Sequence, residues 1–447
     1  MTKKSSGRRL ALDALIAIEE EGAFANRILN ALFAKGQPEE NEKRLATELV
    51  LGSLRHRSRL DFLLNRLLTK ELSTLPAAIR EVLRLSLYQL IFTNHPSYAV
   101  VNEAVALTKA GKYRGLSRLV NGVLRNYLRR QQELEQALPD FIQDPLGHLT
   151  IVHSHPLWLV QRWIRRWGEE TTHRLVEANN QPAPLSVRTN TLRISRDGLL
   201  GKMVEAGMEA EPVPAIPEAI RLKSGRNLTS NPLWAEGYFY VQDEASMLVA
   251  HLLAPEPGTV IADLCAAPGG KTTHLAQLMN NSGRIYALDQ FAHKTGLIAE
   301  NARRLGIGII EPLTTDARCW RPADLVDGIL LDAPCTGTGV LRRRPDIRWR
   351  RQLADLVQLV SLQQGLLNHA ASLLKPGGRL VYSTCSLESE ENEEQIRRFL
   401  VDHPDFRLDL SDNFAPNFPM NRMAEGFLTI PRGDGPDGFF MTRLVKL

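Results

Sequence analysis

Two of the chain's four cysteines stand in segments suited to chemistry. Cys335 lies in LLDAPCTGTG (330–339), just after Asp332, and Cys385 lies in YSTCS (382–386). A buried cysteine is usually a small apolar filler, and Cys319 reads as that or as a loop residue. It weakens for Cys335 and Cys385, because each follows a run that reads as a strand and the two would face one crevice. Two thiols at one site suggest covalent catalysis, in which a thiolate adds to a substrate carbon and later leaves.

A second constellation is DLCAAPGGKT (263–272). Gly269 and Gly270 lead into a helix N-terminus, whose backbone N–H groups can meet a carboxylate or phosphate. A phosphate-wrapping P-loop would need glycine at position 265, where Cys265 stands. AAPGG lacks the GxGxxG spacing of a dinucleotide site. An adenosine-type cofactor fits better. Asp289 is placed for ribose hydroxyls and Asp316 for an adenine amino group. Any one such acid is most simply a helix cap; Asp263, Asp289, Asp316 and Asp332 at successive strand ends shift that balance.

The elements that carry these residues begin at Val260. VIADL (260–264), RIYALD (284–289), a short run near 308–313, VDGILLD (326–332) and RLVYSTCS (379–386) read as strands. Helices over 291–305, about 350–374 and 389–401 alternate with them, and KPGG forms a turn before the fifth strand. GFFMTRLVKL (438–447) reads as a terminal strand. This rhythm predicts an α/β, doubly wound sheet with its ligand at the carboxyl ends of the strands. Residues 1–140 instead repeat leucines at three- and four-residue spacing, which predicts an all-α domain. Residues 141–237 hold a linker helix with Trp158, Trp163 and Trp167 and a small α+β connector, and 238–447 form the third domain.

Hydrophobic residues make up 43% of the 447 residues and charged residues 23%, so the chain is neither disordered nor fibrous. The cysteines have no CxxC spacing, so neither a disulfide framework nor a zinc site is expected; the metal expectation is none. The basic N-terminus lacks a cleavage site, and the apolar run near 83–92 is too short for a membrane span. A cytoplasmic monomer that meets no membrane is expected. Residues 1–140 hold 22 Lys+Arg against 15 Asp+Glu, which suggests a polyanionic partner. RRRPDIRWRR (342–351) offers Arg342, Arg343, Arg344 and Arg348 beside the Cys335 loop as RNA-binding candidates, with Trp349 either stacking a base or packing in the core. The acidic run 388–394 reads as a helix N-terminal face, favoured by the helix dipole.

NEAVALTK (102–109) and RLVNGVLRN (118–126) resemble the NusB family of helical RNA-binding domains. DLCAAPGGKT, LDAPCTGTG and TCS, in this order, resemble the RNA (cytosine-5) methyltransferase family, and within it the 16S rRNA members with a NusB-like extension. The resemblance implies a Rossmann-like methyltransferase domain that binds S-adenosylmethionine through Cys265, Ala266, Ala267, Pro268, Gly269, Gly270, Lys271, Asp289, Asp316 and Asp332. It implies that Cys385 is the nucleophile and Cys335 the thiol that helps proton removal or release. Asp332 would hydrogen-bond to or protonate the ring nitrogen. In DNA cytosine-5 enzymes the Pro-Cys cysteine attacks, which would nominate Cys335 instead. The implied partner is 16S rRNA; tRNA with the same chemistry, or a non-catalytic assembly role, are the rival readings.

Overall fold

The computed structural model describes residues 6–223, 228–411 and 413–447. The chain folds into two compact units, Met1–Pro182 with Leu341–Arg350, and Ala183–Val340 with Arg351–Leu447.

The first unit is helical. Its opening helix, Gly7–Glu21, starts where the Ser6 hydroxyl accepts from Arg9 N–H and stops at Gly22, whose φ of 64° favours glycine. Leu10, Ala14, Leu15 and Ile18 lie on one face at helical spacing and are buried. Each such leucine contributes about 1.5–3 kcal/mol on burial. The helix Ala77–Phe92 runs through the core, with Leu83, Leu85 and Leu87 fully buried. Its buried Arg84 is matched by Asp61, Glu81 and Glu19. The helix Leu157–Ala178, which the sequence groups with the connector, belongs to this unit and buries Trp163.

The second unit holds two sheets. The smaller comprises β1 (Leu185–Thr189), β2 (Ala210–Pro212), β3 (Ala219–Leu222) and β4 (Phe239–Val241), ordered β2-β3-β1-β4. The helix Arg196–Glu205 covers it with Leu199 and Met203. The larger sheet has β5 (Val260–Asp263), β6 (Arg284–Asp289), β7 (Ile310–Thr314), β8 (Val326–Asp332) and β9 (Leu374–Thr384) in parallel, ordered β7-β6-β5-β8-β9. These strands are the predicted ones. β10 (Phe406–Leu408), β11 (Asn421–Arg422), β12 (Phe427–Thr429) and β13 (Phe439–Lys446) extend it. β13 lies antiparallel to β9 and pairs Phe440 with Thr384.

The strand order reverses between β5 and β8, so a crevice opens at their carboxyl ends. KPGG is not a turn before the fifth strand but an irregularity within it. Val326 pairs with Leu374 while Gly328 pairs with Arg379, and Gly377 takes the required positive φ of 76°. No helix of the described residues is long and apolar enough to cross a membrane.

Candidate active site

Parallel pairing of β8 with β9 sets Asp332 opposite Ser383. The chain then leaves each strand, and the following loops carry Cys335 and Cys385. Their Sγ atoms lie 3.3 Å apart as free thiols. The loops touch through glycine: Gly339 N–H donates to Cys385 O at 2.9 Å, and Gly438 N–H donates to Gly339 O at 2.9 Å. A Cβ on Gly339 would run into Gly438 and approach Cys385 O to 2.9 Å, so only glycine allows this approach.

Electrostatics separate the two thiols. The hydrogen bond to Cys385 is the largest of the causes that push the Cys335 thiol far above the usual range, followed by burial and the charge of Cys385. Cys335 therefore holds its proton more tightly than an ordinary thiol, while either sulfur can donate in the contact between them. Lys271 supplies the compensating cation. Its ammonium pairs with Asp332 Oδ2 at 2.7 Å and feels the charge of Cys385, and although burial opposes it, its pKa is raised. Ser383 Oγ donates to Asp332 Oδ1 at 2.8 Å and fixes the carboxylate.

The Cys335 loop is clamped from below by residues that the sequence did not single out. Glu391 Oε1 accepts from Thr336 N–H and from Gln363 Nε2, each at 2.9 Å. Gln363 Nε2 also donates to Pro334 O at 2.8 Å. Arg351 reaches Thr336 O and Cys335 O at 3.1 and 3.2 Å. The acidic run does more than face a helix N-terminus: Glu388, Glu391 and Glu393 are buried. A short 3-10 turn, Ser389–Glu391, precedes the helix Glu393–Asp402, and Asn392 breaks between them with φ −117° and ψ −105°. That break turns Glu391 inward. Glu391→Ala is expected to lower kcat by about 10- to 100-fold through a displaced loop, with the KM for cofactor unchanged and Glu391→Gln restoring much of the rate. Steady-state kinetics of both variants check this.

The other strand end offers the cofactor residues. Ala266 N–H donates to Leu288 O at 2.8 Å and Gly269 N–H to Ala266 O at 2.7 Å, which folds 265–269 into a tight loop. Gly269, at φ 103°, precedes the helix Gly270–Leu278, and no side chain caps that N-terminus. Cys265 is partly buried, and desolvation pushes its thiol well above the usual range. Burial also pushes Asp263 up to about 7, against the hydrogen bond from Thr272 Oγ1. Asp289 accepts from Phe291 N–H at 3.1 Å at the end of β6. Asp316, past β7, is held below the usual carboxylate range by the Arg318 guanidinium, Nη2 to Oδ2 at 2.6 Å. The small sheet supports this end: buried Arg188 donates to Gly270 O at 2.6 Å and Thr273 Oγ1 at 2.8 Å.

The arginine segment departs from expectation. Residues 341–350 belong to the helical unit. Arg342 and Arg348 are each 1% exposed. Arg348 donates to Arg55 O, Ser154 O, Asn180 Oδ1 and Asn179 O at 2.7–3.2 Å. A guanidinium so buried cannot grip a phosphate, which corrects the RNA-binding expectation for Arg342 and Arg348. Arg344 is exposed and Arg343 partly so. Trp349 packs against the helical core and donates to Leu54 O at 2.7 Å.

Comparison with known proteins gives this geometry a context. Residues 250–445 match the family described as 16S rRNA methyltransferase RsmB/F, residues 5–129 match the NusB family, and residues 155–229 match the RsmF/B-like ferredoxin-like domain. A relative from Bacillus subtilis named probable ribosomal RNA small subunit methyltransferase B is 37% identical over 452 residues, covering 99% of both chains. The crystal structure of PH0851 superposes with a TM-score of 0.82 at 29% identity, over 99% of this chain and 100% of that one. That of NSun6 from Pyrococcus horikoshii, solved with SFG, gives a TM-score of 0.60 at 25% identity over 66% of this chain and 99% of that one. With a full-length relative at that identity, and a domain series that follows its own folds, the chain belongs to the RsmB/F family of 16S rRNA methyltransferases.

Proposed function

We propose that the protein transfers a methyl group from S-adenosylmethionine to carbon 5 of a cytidine in 16S rRNA, with Cys385 as the nucleophile. The observation that carries this reading is the pair of thiols 3.3 Å apart, flanked by the Lys271–Asp332 ion pair. The rRNA substrate is supported by the name of the full-length relative.

S-adenosylmethionine supplies, when bound, an electrophilic methyl group on a sulfonium. The residues present suit it. The uncapped N-terminus at Gly270 offers backbone N–H groups to a carboxylate. Asp289 accepts from ribose hydroxyls and Asp316 from the adenine amino group. Asp289→Ala is expected to weaken S-adenosylmethionine binding by roughly 10- to 100-fold; unchanged affinity by calorimetry would remove this assignment.

Carbon 5 of cytosine is a poor nucleophile. The Cys385 thiolate forms a bond to carbon 6, the double-bond electrons move into the ring, and carbon 5 becomes reactive. As carbon 6 is attacked the ring nitrogen takes up a proton from solvent, and Asp332, anchored by Lys271 and Ser383, accepts a hydrogen bond from that N–H and balances the charge. Once carbon 5 bears the methyl group, Cys335, its own proton first lost to solvent after addition, takes the hydrogen from carbon 5 as a proton. The electron pair left behind re-forms the ring double bond, the sulfur–carbon bond breaks, and the Cys385 thiolate departs. The electrostatics favour this order. Bonding at Cys385 removes its hydrogen bond and charge, two of the causes that raise the Cys335 pKa, so Cys335 loses its proton more readily after addition. The test is transfer of labelled methyl from S-adenosylmethionine to unmodified 16S rRNA and to tRNA. Label in 16S rRNA is expected; label only in tRNA overturns the substrate, and label in neither overturns the activity.

A further inference from the structure

Outside the methyltransferase site, His148, His153 and His173 in the helical unit place one nitrogen each within 4.8 Å of one another. The five-residue wide turn His148–Val152, closed by His153 N–H to His148 O, brings residues five apart onto one face. His173 meets them from the helix Leu157–Ala178. The Nε2 atoms of His153 and His173 are 3.2 Å apart. Two nitrogens on a tetrahedral zinc at about 2.0–2.1 Å would be separated by about 3.3 Å. We propose that these three histidines bind a zinc ion, with water completing a tetrahedron, and that the metal ties the wide turn to the long helix.

The surroundings fit a ligand set. His148 Nδ1 donates to Pro139 O at 2.8 Å, which leaves its Nε2 lone pair available and fixes the ring. Phe141 stacks on His173 with centroids 4.3 Å apart. Asn180 Nδ2 and His155 Nδ1 both donate to His153 O, holding that residue in place. All three histidines are partly exposed, so an ion and a water can enter. The nearby guanidiniums are engaged elsewhere: Arg348 donates to carbonyl oxygens and Arg59 pairs with Glu135. The other mixed cluster, Glu218 with His251 and His274, is different. There both Nε2 atoms lie 2.7–2.8 Å from one carboxylate oxygen, and His274 is fully buried, so the carboxylate already occupies the place of a cation.

The test uses the full-length protein stripped with EDTA and titrated with Zn2+ in competition with a chromophoric chelator. One site per chain with Kd below about 10 µM is expected. His153→Gln and His173→Gln should each weaken it by about 100-fold. The double variant Cys335→Ser/Cys385→Ser should keep it. Zn2+ should raise the Tm of the wild type by a few degrees and leave both histidine variants unmoved. Melting in EDTA checks that the variants fold; His173→Gln, on the partly exposed helix face, carries the test should His153→Gln fail to fold. Binding weaker than 10 µM, which leaves only an imidazole–imidazole hydrogen bond, overturns the proposal. So does a site that survives in the histidine variants and vanishes with the thiols.

Discussion

Cys385→Ala is expected to transfer no methyl and to form no covalent complex with RNA, a loss on the order of 10^4-fold or more. Without that sulfur no bond forms to carbon 6, and carbon 5 stays unreactive. Cys335→Ala is expected to differ in kind. The attacking thiol and its Lys271 neighbour remain, so addition proceeds, but the later proton removal and release fail. Protein covalently joined to RNA should accumulate and show as a shifted band on a denaturing gel with labelled RNA. Because the two sulfurs touch at 3.3 Å, the outcome separates their roles rather than their positions. The reverse pattern would make Cys335 the nucleophile. Normal turnover by both variants would refute covalent catalysis.

Arg348→Ala should act on stability and not on RNA contact. The substitution leaves Arg55 O, Ser154 O, Asn179 O and Asn180 Oδ1 without their donor. Buried acceptors that lose a charged partner should cost about 3–5 kcal/mol, which lowers Tm by roughly 10 °C. Arg348→Lys should recover little, because an ammonium lacks the planar fork that reaches several carbonyls at once. Below the melting range the salt dependence of RNA binding should match the wild type. A phosphate contact would instead reduce the slope by about 0.7–0.9, and such a change with unaltered Tm would reinstate the sequence-based assignment.

The convergence of Cys335 and Cys385 was legible because it depends only on strand alternation. Each cysteine follows a run that ends in the same crevice, and parallel pairing of β8 with β9 does the rest. The helical domain was legible from leucine spacing for the same local reason. What supports the thiols was not. Gln363, Glu391 and Arg351 reach the Cys335 loop from three separate segments, and their roles arise from tertiary packing. Glu391 read as part of a helix N-terminal face because composition does not show the break at Asn392, which sets it outside the helix. Arg348 was misread because a guanidinium satisfies carbonyl oxygens as readily as phosphate oxygens, and sequence does not say which it meets. The histidines at 148, 153 and 173 follow no familiar metal-ligand spacing; the wide turn brings them together.

The central claim is methylation at carbon 5 of a cytidine in 16S rRNA, and bisulfite sequencing reads that atom. A methyl group on carbon 5 protects a cytidine from conversion. Unmodified 16S rRNA incubated with the protein and S-adenosylmethionine should show one newly protected cytidine, absent with Cys385→Ala. Methyl incorporation into 16S rRNA with every cytidine still converted would place the group on another atom and contradict the account.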